Sequence, residues 1–211
     1  MSMRDGYEEA AAVAVELIGA PEVARAWDEP SALAGMTVGG LAGHLGFQLF
    51  SVSRVLTSAP TEEQPIALTE HFARAAWIGA PLDADVSTGI VALGEETGAD
   101  GPGALRERAA AALEEQRGEL ARAAGDRTVF IARSGWALTL DDYLATRLLE
   151  LVVHLDDLAV SVGLPTRDLP TVAFDPVLVL LARLAAGKHG QAALLRALAR
   201  AERAPGAINA L

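Results

Sequence analysis

The residues with most chemistry to offer lie on one stretch, Tyr143-Leu144-Ala145-Thr146-Arg147-Leu148-Leu149-Glu150-Leu151-Val152-Val153-His154-Leu155-Asp156-Asp157-Leu158. Placed on a helix at about 100° per residue, Arg147, Glu150, His154 and Asp157 share a stripe roughly 80° wide. Glu150 and His154 are one turn apart, the relation that lets two side chains of one helix share a metal ion. A carboxylate and an imidazole suit a divalent cation, and a catalytic site needs a third ligand plus one open position. His44 offers itself as that third ligand. On a helix it points with the apolar side, among Leu41, Leu45, Val52 and Val55, and Gln48 is its polar neighbour one turn on. A lone histidine on such a face is more often a core residue with a satisfied hydrogen bond, and its coincidence with the Glu150–His154 pair lifts the metal reading. The stripe itself, flanked by leucines and valines on both sides, reads either as a solvent face or as the wall of a cavity. His71, near a helix start, and His189, at a helix break, are expected at the surface.

These residues must be positioned by a mainly helical chain. The pattern predicts helices at 7–19, closed by Gly19-Ala20-Pro21, and from a Thr37 N-cap to about Leu56, ended by Ser58-Ala59-Pro60. A short helix is expected at about 70–78. Residues 86–93 read as either helix or loop, and the turn formers of 94–103 (GEETGADGPG) read as a loop. A long exposed helix follows at 104–124, its charges a solvated face. Thr128–Ala132 and Trp136–Leu140 read as a hairpin around Arg133-Ser134-Gly135. Thr139 with Asp142 three residues on signals the start of the site helix, which runs to about Val162 before Gly163 and Pro165. Asp175-Pro176 predicts a helix start leading to about Ala186, Gly187 to Gly190 a break, and 191–203 a last helix. The glycines of 39–46 match neither a Walker loop nor a dinucleotide fingerprint, so they are expected to let a neighbouring helix approach closely. Trp27, Trp77 and Trp136 read as core or rim anchors. The predicted fold class is all-α, a helical bundle with one minor hairpin, organised as residues 1–163 and a short helical C-terminal extension, 164–211.

Composition bounds the function. The 211 residues hold 17 Lys plus Arg against 28 Asp plus Glu, a net charge of −11, which argues against nucleic acid as a partner. With 51% hydrophobic and 21% charged residues the chain suits a packed globule. Apolar runs such as Val177–Leu181 stop at Arg183, well short of the roughly 20 residues that span a bilayer, so no membrane span is expected. Met1 to Gly6 holds no apolar leader core, and the expected location is cytoplasmic. The chain has no cysteine, which excludes disulfides, thiolate ligands and a thiol nucleophile of its own.

Met36-Thr37-Val38-Gly39-Gly40-Leu41-Ala42-Gly43-His44-Leu45, together with the stretch from Thr139 through Leu158, resembles the N-terminal metal-binding domain of mycothiol-dependent maleylpyruvate isomerases. These belong to the DinB-like four-helix bundle superfamily, and the likeness covers roughly residues 5–163. The resemblance implies a DinB-like four-helix bundle. It also implies a divalent metal, usually zinc, held by His44, Glu150 and His154, and mycothiol or a similar small thiol bound as thiolate at the open position. Partners would be that thiol and a small electrophilic substrate, giving a transferase or an isomerase. Arg147 could then pair with Glu150 or with a cofactor carboxylate, and Asp157 could orient a ligand, with Gln48 also near the site. An intrahelical ion-pair ladder explains Arg147 and Asp157 equally well. After Gly163 the chain departs from the isomerase pattern, with two short helices in place of a larger substrate-holding domain, which leaves the substrate open. The alternatives are a non-catalytic metal-binding helical protein in an accessory or regulatory role and a purely structural bundle. A homodimer through bundle helices is common for such folds.

Overall fold

In a computed structural model the chain is described over residues 2–59 and 61–211. Met1, at the head of the leader reading, and Pro60, the last residue of the stop signal expected after the His44 helix, lie outside the described residues.

The first helix, α1 (Met3–Ile18), starts four residues earlier than expected because of a local device. The Ser2 hydroxyl accepts the Asp5 N–H, and the Asp5 carboxylate accepts the Ser2 N–H at 2.8 Å. This reciprocal box satisfies two donors that a helix start otherwise leaves bare. Tyr7, Ala10, Ala11, Ala14 and Ile18 then form its buried stripe. After a short α2 (Pro21–Arg25) comes α3 (Val38–Thr57), capped by Thr37 as expected, whose hydroxyl accepts the Gly40 N–H at 2.9 Å. Its far end is closed by Arg127, which donates to the carbonyls of Val55, Leu56 and Ser58. The short α4 (Leu68–Arg74) begins and ends earlier than the sequence suggests, with extended backbone at Ala75.

The stretch 94–103 is not a loop. Helix α5 (Asp85–Gly98) runs through most of it, and α6 (Gly101–Arg122) takes the rest, leaving Ala99 and Asp100 as the turn. The reason is packing. A Cβ at Gly43 would lie 2.1 Å from the Gly94 carbonyl oxygen, and one at Gly98 would lie 2.5 Å from that of Gly39. The glycines that look like turn formers are therefore the surface through which α5 meets α3 backbone to backbone. Glu95, between them, accepts from the Thr37 N–H at 2.8 Å and from its hydroxyl. Helix α6 has a solvated charged face, as expected, but also a buried stripe of Leu105, Ala109, Leu113, Gln116 and Leu120. Gln116 accepts from the Tyr7 hydroxyl at 2.7 Å and donates to the Leu49 carbonyl, tying α1, α3 and α6 together at a buried polar node.

Strands β1 (Thr128–Ile131) and β2 (Trp136–Thr139) pair antiparallel, with Thr128 opposite Thr139 and Ile131 opposite Trp136. They deliver the chain to α7 (Leu140–Ser161), where the Thr139 hydroxyl accepts the Asp142 N–H at 3.1 Å. Helices α1, α3, α6 and α7 close the four-helix bundle: α3 packs on α6 and α7, and α1 on the other sides of both.

Helix α8 (Thr171–His189) corrects the expected start at Asp175-Pro176. Pro170 occupies the N-cap, and Pro176 sits inside the helix. A proline there cannot donate to the carbonyl of Val172. That carbonyl lies against Gly6, where a Cβ would stand only 2.4 Å from it, so the start of α8 packs closely on α1. The helix also continues through Gly187 and stops only at Gly190, whose φ is +87°. Helix α9 (Gln191–Ala199) ends short of Arg203 and is followed by one 3₁₀ turn, Ala201–Arg203; it buries no residue, so nothing holds a further turn. Among the described residues no helix is long and apolar enough to cross a membrane.

Candidate metal centre

Two bundle helices carry the cluster. On α3 the Thr37 cap sets the phase that turns His44 and Gln48 inward, with Leu41, Leu45 and Val52 buried beside them. On α7 the leucines at 144, 148, 151 and 155 are buried, so α7 is central, and its polar stripe faces α3. His44 Nε2 lies 3.4 Å from Glu150 Oε2, and His154 Nε2 lies 3.2 Å from the same oxygen. The two imidazoles meet edge to face with centroids 4.7 Å apart. One ligand atom from each of His44, Glu150 and His154 falls within 4.8 Å of the others, a spacing that could hold a metal ion. Their side chains are 11%, 13% and 14% exposed.

A second ring of contacts sets the orientation of each group. Asp157 accepts from His154 Nδ1 at 2.8 Å, which leaves Nε2 aimed at Glu150. This is the carboxylate–histidine arrangement that commonly orients a metal-binding imidazole. The Gln48 carbonyl oxygen is taken by Arg147 Nη1, so its amide nitrogen is the group 3.1 Å from His44 Nε2. His44 Nε2 therefore faces both the Gln48 amide and the Glu150 carboxylate, while its Nδ1 is a buried atom with no hydrogen-bond partner among the described residues.

The charges are equally arranged. Burial pushes Glu150 up, but hydrogen bonds from His154 and His44 outweigh it and hold the carboxyl far below its usual range. Burial pushes His154 down, yet Asp157 and Glu150 hold it up at about 9. Burial leaves His44 below its usual value, a shift that Glu150 opposes. The metal-free cluster thus keeps one proton, on His154, between electron-rich atoms. Two nitrogens and a carboxylate oxygen converging on one place that demands a positive charge fit a divalent cation such as zinc.

All six residues singled out in the sequence lie together here. Arg147 does not pair with Glu150, however. It donates from Nε to the Thr146 hydroxyl at 3.0 Å and from Nη1 to Gln48, and its guanidinium lies 5.4 Å from the Tyr143 ring centre. His71 was misplaced by sequence reasoning: it is buried, not at the surface. Trp136 Nε1 donates to its Nδ1 at 3.1 Å, and burial followed by the Arg147 charge pushes its pKa down to about 4. A seven-residue helix is too short to show a periodicity, so no local signal marks it. His189 is half-buried, and its Nε2 donates to the Asn209 carbonyl at 2.9 Å.

The family model described as mycothiol maleylpyruvate isomerase N-terminal domain matches residues 7–159. That interval runs from the buried start of α1 to the last turn of α7 and contains every member of the cluster. No curated protein and no solved structure gives a significant match.

Proposed function

The chain belongs to the mycothiol maleylpyruvate isomerase N-terminal domain family, and we propose that it is a metal-dependent enzyme that joins a small thiol of the mycothiol type to a small electrophile, as a transferase or isomerase. His44, Glu150 and His154 hold the cation, and zinc suits two imidazoles with one carboxylate. The observation that carries this reading is the convergence of those three donors within 4.8 Å, with His154 oriented from behind by Asp157.

A divalent cation in this place supplies Lewis acidity that keeps a coordinated thiol deprotonated, and so nucleophilic, at neutral pH. The thiol must come from outside, since the chain has no cysteine. The protein's own groups do the rest. To ligate a cation His154 would release its Nε2 proton to solvent, while its Nδ1–H would stay hydrogen-bonded to Asp157, which keeps the ring oriented. Gln48 holds the His44 ring, and Arg147 holds Gln48. The leucine walls of α3 and α7 exclude water, which strengthens each of these interactions.

A second reading, a non-catalytic metal-binding protein with an accessory role, draws on the surface. Grooves of about 200 and 280 Å³ are lined by Val13, Leu17, Leu155 and Arg167 in one case and by Leu56, Glu119 and Arg127 in the other, and neither includes a member of the cluster. The two readings part on turnover. Protein purified without a tag should carry about one zinc per chain, and only when loaded should it convert a small electrophile in the presence of mycothiol, the thiol being consumed in a transfer and returned in an isomerisation. Zinc without mycothiol binding or turnover would leave the accessory role. Less than about 0.3 metal per chain, with stability unchanged by a chelator, would overturn both. Zinc retained in full by His154→Ala would overturn the ligand assignment.

A further inference from the structure

Helix α8 is apolar on two sides. Ala173, Val177 and Leu180 form its buried inner side, and the helix packs on α1 and α7. Its outer side carries two adjacent rows with one residue per turn, Phe174-Leu178-Ala182 and Asp175-Val179-Arg183. Phe174, Leu178 and Val179 are 46%, 52% and 49% exposed. Among the described residues, five of the eight exposed large hydrophobic side chains lie on α8 and α9, Leu195 and Leu198 completing the five. Leu82, Phe130 and Val160 stand apart on three other segments. Apolar residues scattered singly need no explanation, whereas a concentration on one pair of helices marks a contact surface. A helix that is apolar all round is a helix that is covered all round.

The charges on the outer rows say what covers them. Asp175 and Arg183 are both exposed, and neither has an ion-pair partner among the described residues. They stand four residues before and four after Val179, about 12 Å apart along the axis and too far to meet within one helix. Laying a second α8 antiparallel on the first, about a two-fold axis beside Val179, brings Asp175 of each copy to Arg183 of the other. The same operation brings the large Phe174 to the small Ala182. The face is its own complement in charge and in size, as a two-fold interface requires, because each contact of residue i with residue j is repeated as j with i. We propose that the outer face of α8, with Leu195 and Leu198 of the adjoining α9 at its edge, joins two copies of this chain as an antiparallel two-fold dimer. The contact belongs to the C-terminal extension, outside the four bundle helices, and does not depend on the metal reading.

The test is sedimentation velocity on the full chain from about 1 to about 200 μM. Wild type should pass from monomer to dimer across that range. Val179→Glu brings two carboxylates together at the axis and should leave the chain monomeric throughout, with an unchanged urea midpoint because the side chain is half exposed. Asp175→Arg and Arg183→Asp should each weaken the dimer about tenfold, since either creates two like-charged contacts. The exchange of both, Asp175→Arg with Arg183→Asp, should return the affinity to within about threefold of wild type. That rescue is a signature of contact between copies, because the two residues do not meet within one chain, and it decides the matter even where Val179→Glu lowers the urea midpoint. A chain that stays monomeric to the highest concentration overturns the proposal. A dimer indifferent to Val179→Glu lies elsewhere and overturns it too, as does an exchange that fails to rescue. The extension carries six Lys and Arg against three Asp and Glu, so a last arm adds vesicles of phosphatidylserine and phosphatidylcholine. Wild type that stays monomeric and sediments with those vesicles assigns the face to an anionic lipid surface, which also overturns the dimer.

Discussion

Asp157→Asn separates two effects that one aspartate exerts on the cluster, and pH tells them apart. Asp157 accepts from His154 Nδ1 at 2.8 Å and helps hold that imidazole up at about 9. At pH 6.5 a cation must therefore displace a proton from wild type across about 2.5 pH units, a cost of roughly 3 kcal/mol or 300-fold in apparent affinity. Above pH 9 that cost is gone. The asparagine removes the charge that raises the pKa, so the variant meets less proton competition at low pH. It also weakens the bond that orients the ring, a change that commonly costs about 10- to 100-fold in metal affinity. Zinc affinity measured by competition with a fluorescent chelator should thus fall about tenfold or more at pH 9.5, and the gap should shrink or reverse at pH 6.5. Wild-type affinity should climb about tenfold per pH unit below 9, with a shallower climb in the variant. Parallel pH profiles, or affinities within about twofold at pH 9.5, would refute the assignment of Asp157 as the group that both charges and orients His154.

Three further outcomes follow from the same geometry. Gly43→Ala places a methyl 2.1 Å from the Gly94 carbonyl oxygen, and should destabilise the fold by about 3 kcal/mol or more in urea unfolding as α5 is pushed off α3; an unchanged midpoint would mean that the helices do not meet as described. His71 has a folded pKa near 4, below its unfolded value of 6.5, so the folded state binds fewer protons there; its contribution is complete above 6.5 and lost as pH falls towards 4. Subtracting the pH profile of His71→Gln from that of wild type should reveal an acid-side loss of up to about 3 kcal/mol, and its absence would place His71 in water. For the zinc-free chain His154 runs the other way, a raised pKa giving stability that is full below 6.5 and lost as pH rises through 9. Saturating zinc should abolish that alkaline loss in thermal melts and add about 4 kcal/mol at a thousandfold excess over Kd; identical melts with zinc and with chelator would count against a metal site.

Where local chemistry decides, the sequence reads well. Thr37 and Thr139 mark the starts of the two site-bearing helices because a hydroxyl capping a bare N–H needs only residues three positions apart. The hairpin ahead of α7 is legible for the same reason. Residues 94–103 show the limit. Glycine favours turns when it stands alone against solvent, and only the opposing backbone of α3 makes it the residue a helix needs there. Pro176 repeats the lesson, since the helix begins at Thr171, ahead of the expected start, and its first turn packs closely against Gly6 of α1.

The candidate site divides along the same line. Spacing on a single helix put Arg147, Glu150, His154 and Asp157 on one stripe, because 3.6 residues per turn is a property of the backbone and needs no partner. The charge, the missing cysteine and the family likeness all stand in the one-dimensional string too. That His44 reaches the same carboxylate oxygen as His154, that Arg147 turns to Gln48 and away from Glu150, and that His71 is buried beneath Trp136 were decided by the packing of α3 and α4 against their neighbours. Sequence periodicity states which way a side chain faces from its own helix axis, whereas the distance to a group a hundred residues away depends on where the other axis lies, and burial of the whole core sets that.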